Sequence, residues 1–102
     1  MEEFELPKLT KLLIVEDEPA QLEQTQKALM QHAAFQLSHA KDGHETFQRL
    51  NEDIPDLMLL DLGLPDCDGM VVCRRLKEEE RFRWIPVIML AWRLGQVAAY
   101  SR

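Results

Sequence analysis

The chain has 102 residues, 46% of them hydrophobic and 29% charged, a balance that suits one small globular domain with a single core. Its formal net charge of −6 argues against a general surface for nucleic acid or anionic membrane. No apolar stretch approaches membrane-spanning length, and the acidic start Met1-Glu2-Glu3-Phe4-Glu5 lacks a signal-peptide pattern, so the chain reads as cytoplasmic.

Residues 1–10 read as a short arm, with Pro7 interrupting any regular element. Lys11 to Val15 is an apolar first strand that runs straight into Glu16, Asp17 and Glu18. Pro19 suits the first turn of a helix, predicted to His32, with Leu22, Thr25, Leu29 and Ala33 on one face. Phe35 to Ala40 alternates weakly, as an edge strand does. Asp42-Gly43 opens a second helix to about Asn51, ended by Glu52-Asp53-Ile54-Pro55. Asp56 to Leu60 is a third strand, apolar enough to be buried on both faces of a parallel sheet. It stops on Asp61, before a loop punctuated by Gly63, Pro65 and Gly69. Asp68 caps a third helix from Gly69 to about Glu80, with Val72, Cys73 and Leu76 facing the sheet. Pro86 to Leu90 is a fourth strand. Strand and helix alternate throughout, which predicts an α/β fold with helices on both faces of a parallel sheet and right-handed crossovers.

In such sheets ligands bind at the carboxyl ends of the strands. If the first and third strands are neighbours, Glu16, Asp17 and Asp61 converge there. Two like charges about 4 Å apart repel by roughly 4 kcal/mol at an effective dielectric near 20, so three carboxylates need a cation or a proton. Oxygen ligands with room for water suit Mg²⁺, and one carboxylate can then accept phosphorus as a nucleophile. Cys67 and Cys73 read as free thiols, and neither they nor His32, His39 and His44 have zinc-ligand spacing.

Three stretches carry a resemblance: Leu12-Leu13-Ile14-Val15-Glu16-Asp17-Glu18, Asp56-Leu57-Met58-Leu59-Leu60-Asp61-Leu62-Gly63-Leu64-Pro65-Asp66-Cys67-Asp68-Gly69, and Ile85-Pro86-Val87-Ile88-Met89-Leu90. In this order and spacing they resemble the receiver domain of two-component response regulators over residues 11–90. The resemblance implies a flavodoxin-like, doubly wound parallel sheet and a cytoplasmic phosphorelay function. It implies Asp61 as phospho-acceptor, and Mg²⁺ held by Glu16, Asp17 (the closer ligand), Asp61 and the backbone carbonyl of Gly63. The partner it implies is a histidine kinase or phosphotransfer protein. No enzymatic turnover is expected beyond self-phosphorylation and autodephosphorylation at Asp61.

The resemblance stops after the fourth strand. The family places a Thr or Ser next, where this chain has Ala91, and no lysine follows residue 77 to pair with the phosphate. Residues 1–90 hold all 18 acids, whereas residues 91–102 hold Arg93, Arg102 and no acid. This reads as a receiver truncated before its fifth strand and last helix, with a divergent tail at 91–102. The fourth strand would then be an exposed edge, and a homodimer through that strand and Trp92 is expected. The competing function is an interaction or dimerisation module that keeps the fold and signals without phosphorylation. A phosphatase is disfavoured because Gly63 stands where a second aspartate would be needed.

Overall fold

The computed structural model describes residues 9–31, 34–91 and 96–100. Its element order is β1 (Thr10–Val15), α1 (Pro19–Met30), β2 (Phe35–Ala40), α2 (Gly43–Glu52), β3 (Leu57–Asp61), α3 (Gly69–Glu78), β4 (Val87–Ala91) and β5 (Gln96–Tyr100). The expected arm up to residue 8, Ala33 of the first helix's predicted face, and Trp92 of the expected dimer contact lie outside the described residues.

The sheet is ordered β2-β1-β3-β4-β5, and β1 to β4 are parallel. β2 is an edge, as its weak alternation predicts. Right-handed crossovers in this order put α1 on one face and α2 and α3 on the other. The second face carries the core: Leu13, Val15, Met58, Leu60, Val87 and Met89 from the strands meet Leu50 of α2 and Val72 and Leu76 of α3. Phe82 and Ile85, on the way into β4, close its lower end.

The face under α1 is covered less fully. Leu12 and Ile14 are buried there, but Leu57, Leu59, Ile88 and Leu90 are only half-buried, and α1 contributes no buried residue. Alternate strand residues point to opposite faces, so this pattern follows from two helices on one side and one on the other.

Helix starts follow local chemistry. Asp42 accepts a hydrogen bond from the Glu45 amide at 2.8 Å, while the Glu45 carboxylate accepts one from the Lys41 amide at 3.2 Å. This is close to a capping box. Asp68 caps α3 by accepting from Met70 N at 2.9 Å.

Among the described residues the parallel part of the sheet has four strands, and no parallel fifth strand or fourth helix follows β4, in line with the expectation. The expectation that β4 is an open edge needs correction. The tail returns as β5 and pairs antiparallel with β4, from Val87 opposite Tyr100 to Ala91 opposite Gln96. The backbone groups that a second copy would have paired with are taken within the chain. The argument for a homodimer through β4 therefore loses its premise.

Candidate functional site

β1 and β3 lie side by side with Val15 opposite Leu60, so the residues after them, Glu16 and Asp61, emerge together at the carboxyl edge. One carboxylate oxygen from each of Glu16, Asp17 and Asp61 lies within 4.8 Å of the others. The three acids that the sequence singles out thus form one cluster. Glu16 is 4% exposed, Asp61 half-buried and Asp17 exposed.

Glu16 is held in place by its surroundings. Its backbone amide donates to Ala40 O at 2.9 Å, and its carbonyl accepts from the His39 ring Nε2 at 2.8 Å. Burial raises the Glu16 carboxyl to about 8, helped by its hydrogen bond to Asp61 and by the charges of Asp61, Asp17 and Glu18. Its Oε2 is buried with no hydrogen-bond partner. A buried carboxylate oxygen without a donor is costly unless a cation or proton meets it. A hard, oxygen-seeking divalent cation fits this donor set.

Asp61 is fixed by the turn that follows it. The Gly63 amide donates to Asp61 Oδ1 at 3.2 Å, and Gly63 forms a β-bridge to Asp68. Gly69 N donates to Leu62 O at 2.8 Å, which brings the start of α3 against the end of β3. A Cβ on Gly69 would come within 2.5 Å of Asp61 O and 2.8 Å of Leu62 Cα, so only glycine allows this approach.

A cleft of about 600 Å³ opens over the cluster, lined by Glu16, Asp17, Glu18, Gln21, Asp61, Leu62, Gly63, Asp68, Met70 and Ala91. Five of these ten residues are acids and none is a cation. Ala91 sits in the lining, so the position where the sequence comparison leads one to look for a hydroxyl is apolar. Lys77, the last lysine in the chain, is engaged elsewhere, donating from Nζ to Arg83 O at 3.2 Å and Ile85 O at 3.0 Å.

Several supporting residues escape a reading of the sequence alone. His39 reads as a surface or partly packed residue, yet it holds the Glu16 backbone. Asp66 reads as a loop residue. Its carboxylate accepts from Gly43 N at 2.9 Å and His44 N at 3.0 Å, tying the loop after β3 to the start of α2. These amide bonds, Gly43 foremost, hold the Asp66 carboxyl below its usual value. Gln21 has no signal in the pattern beyond its place in the first turn of α1. Cys67 and Cys73 are free thiols, as expected. No helix among the described residues is long and apolar enough to cross a membrane.

A family model described as the response regulator receiver domain matches residues 12–99. The DNA-binding dual master transcriptional regulator RpaA of Synechocystis is 37% identical over 89 residues, 87% of this chain and 36% of RpaA. The chain spans well under half the length of the curated relatives it matches. Among solved structures, the receiver domain of a histidine kinase from Syntrophus aciditrophicus superposes with a TM-score of 0.76 at 38% identity, covering 80% of this chain and 61% of that one. The Mn²⁺-bound form of the response regulator Rcp1 superposes with a TM-score of 0.73 at 30% identity, covering 78% and 63%.

Proposed function

The chain belongs to the response regulator receiver family, and from that premise we propose that Asp61 accepts a phosphoryl group from a phosphohistidine on a histidine kinase or phosphotransfer protein, with Mg²⁺ as cofactor. Glu16, Asp17, Asp61 and the backbone carbonyl of Gly63 would hold the cation. When bound, Mg²⁺ would neutralise charge on the carboxylates and on the incoming phosphoryl oxygens.

The chain's own residues supply position. Gly63 N–H fixes the Asp61 rotamer through Oδ1. Gly69 lets α3 seat against the end of β3 and so keeps the Asp61 loop closed. An Asp61 carboxylate oxygen forms the new bond to phosphorus as the phosphorus–nitrogen bond to the donor imidazole breaks. The electron pair stays on that nitrogen, and Asp61 becomes an acyl phosphate. In hydrolysis a water oxygen bonds to phosphorus as the bond from phosphorus to the Asp61 oxygen breaks, which gives inorganic phosphate and the free carboxylate.

The observation that carries this reading is the carboxylate cluster at the ends of two adjacent strands, with the orphaned Glu16 Oε2 inside it. The test is mass spectrometry after incubation with acetyl phosphate and Mg²⁺. A gain of one phosphoryl group, abolished by Asp61→Asn, is expected. No gain in the wild-type chain would overturn the reading and leave the phosphorylation-independent interaction module in its place.

A further inference from the structure

We propose that Gln21 is a phosphoryl-binding residue, its side-chain amide donating a hydrogen bond to the group carried by Asp61; this rests on the reading of Asp61 as phospho-acceptor. A phosphoryl group brings up to two negative charges and three acceptor oxygens into the cleft. Those oxygens need donors, and the lining is poor in them. Five of the lining side chains are acids, of which Glu16, Asp17 and Asp61 belong to the carboxylate cluster. Leu62, Met70 and Ala91 are apolar, and Gly63 has only its backbone. Gln21 is the one remaining residue and the one lining side chain with a permanent, uncharged N–H donor.

A second observation points the same way. Gln21 Oε1 is buried, with no hydrogen-bond partner among the described residues. An amide held in this way leaves hydrogen-bonding capacity unused, which is costly in a buried setting. A half-turn about its last bond exchanges oxygen and nitrogen, so the same side chain can present a donor or an acceptor without moving its stem. Its position is well placed for the role: Pro19 starts α1 two residues earlier, directly after the Glu16-Asp17-Glu18 run. Rigid placement near the acceptor is what a phosphoryl-binding group needs.

The test compares the wild type, Gln21→Ala, Gln21→Asn, Gln21→Glu and Asp61→Asn in acetyl phosphate and Mg²⁺. Phosphorylation rate is followed by mass spectrometry, and Mg²⁺ affinity is measured by calorimetry without phosphodonor. Gln21 lies in an α-helix and alanine is a strong helix former, so Gln21→Ala should fold, and a melt without ligand checks this. Losing one hydrogen bond to a charged group should slow phosphorylation about tenfold or more in Gln21→Ala. Mg²⁺ affinity should stay within about twofold, Gln21→Asn should recover part of the rate, and Gln21→Glu should be slower than Gln21→Ala. A Gln21→Ala rate equal to wild type overturns the assignment, as does a parallel loss of Mg²⁺ affinity, which would mark a structural role. If the wild type gains no phosphoryl group, the Asp61 reading itself fails and the Gln21 assignment falls with it. The two failures are therefore distinct.

Discussion

Glu16→Gln should flatten the dependence of stability on pH and weaken Mg²⁺ binding in the same protein. Glu16 titrates near 8 in the folded chain against a reference of 4.5 for the unfolded one. Between those values the folded state holds a proton that the unfolded state has released. Stability therefore falls as pH rises through this window, is fully present below about pH 4.5, and is lost above about pH 8. At about 1.4 kcal/mol per pH unit, the full window is worth at most on the order of 5 kcal/mol. Glutamine has the same shape and stays neutral, so the variant keeps the buried group without the titration. Urea melts from pH 5 to 9 in the presence of a chelator should show the wild type losing stability with a steeper slope than Glu16→Gln. The two proteins differ at residue 16 alone, so the difference between slopes isolates that residue. Mg²⁺ should reverse the loss in the wild type, with proton release on binding near neutral pH, because the metal needs the deprotonated ligand. Equal slopes in the two proteins would refute the raised Glu16 and the burial argument behind it.

Gly69→Ala should cost about 1–3 kcal/mol in denaturant melts and slow phosphorylation of Asp61, since the new Cβ must push apart the end of β3 and the start of α3. Ala91→Thr puts a hydroxyl into the lining; phosphorylation should then give amide shift changes reaching beyond the Asp61 loop, where the wild type shows only local ones. Identical shift patterns in the two proteins would show that the missing hydroxyl at position 91 does not limit how far the change spreads. Ala98→Pro removes a backbone donor in β5 opposite Met89 and should reopen the β4 edge, seen as concentration-dependent self-association in light scattering that the wild type lacks.

The strands and the carboxylate cluster were legible because both depend on local order in the chain. An apolar run ending in acid marks a buried strand and its carboxyl end together, and Leu57 to Asp61 shows it plainly. β5 was not legible. Gln96-Val97-Ala98-Ala99-Tyr100 has no clear alternation and two alanines, and it becomes a strand by pairing with β4. Asp66, His39 and Gly69 were hidden for another reason. Each acts on a partner fixed only by the way neighbouring loops meet, such as Asp66 on the first amides of α2. The acids were visible as a group at the strand ends, but the hydrogen bonds that hold the Glu16 backbone come from Ala40 and His39 of β2, twenty-odd residues away.

The charge pattern of the cleft also sets what phosphorylation can do in this chain. Five acids line it without a lysine, an arginine or a hydroxyl. A phosphoryl group on Asp61 replaces one negative charge with up to two and places them beside Glu16 and Asp17. Each added charge about 4 Å from a carboxylate is opposed by roughly 4 kcal/mol at an effective dielectric near 20. A cation in the cluster is the compensation that these residues can attract, and one neutral amide at Gln21 is the side-chain donor left over. The phosphorylated state should therefore lean on the divalent ion more heavily than it would with a lysine in the lining. Removing Mg²⁺ with a chelator after phosphorylation should lower thermal stability below that of the unmodified, metal-free chain, and a phosphorylated chain that melts higher without metal would contradict this account of the cleft.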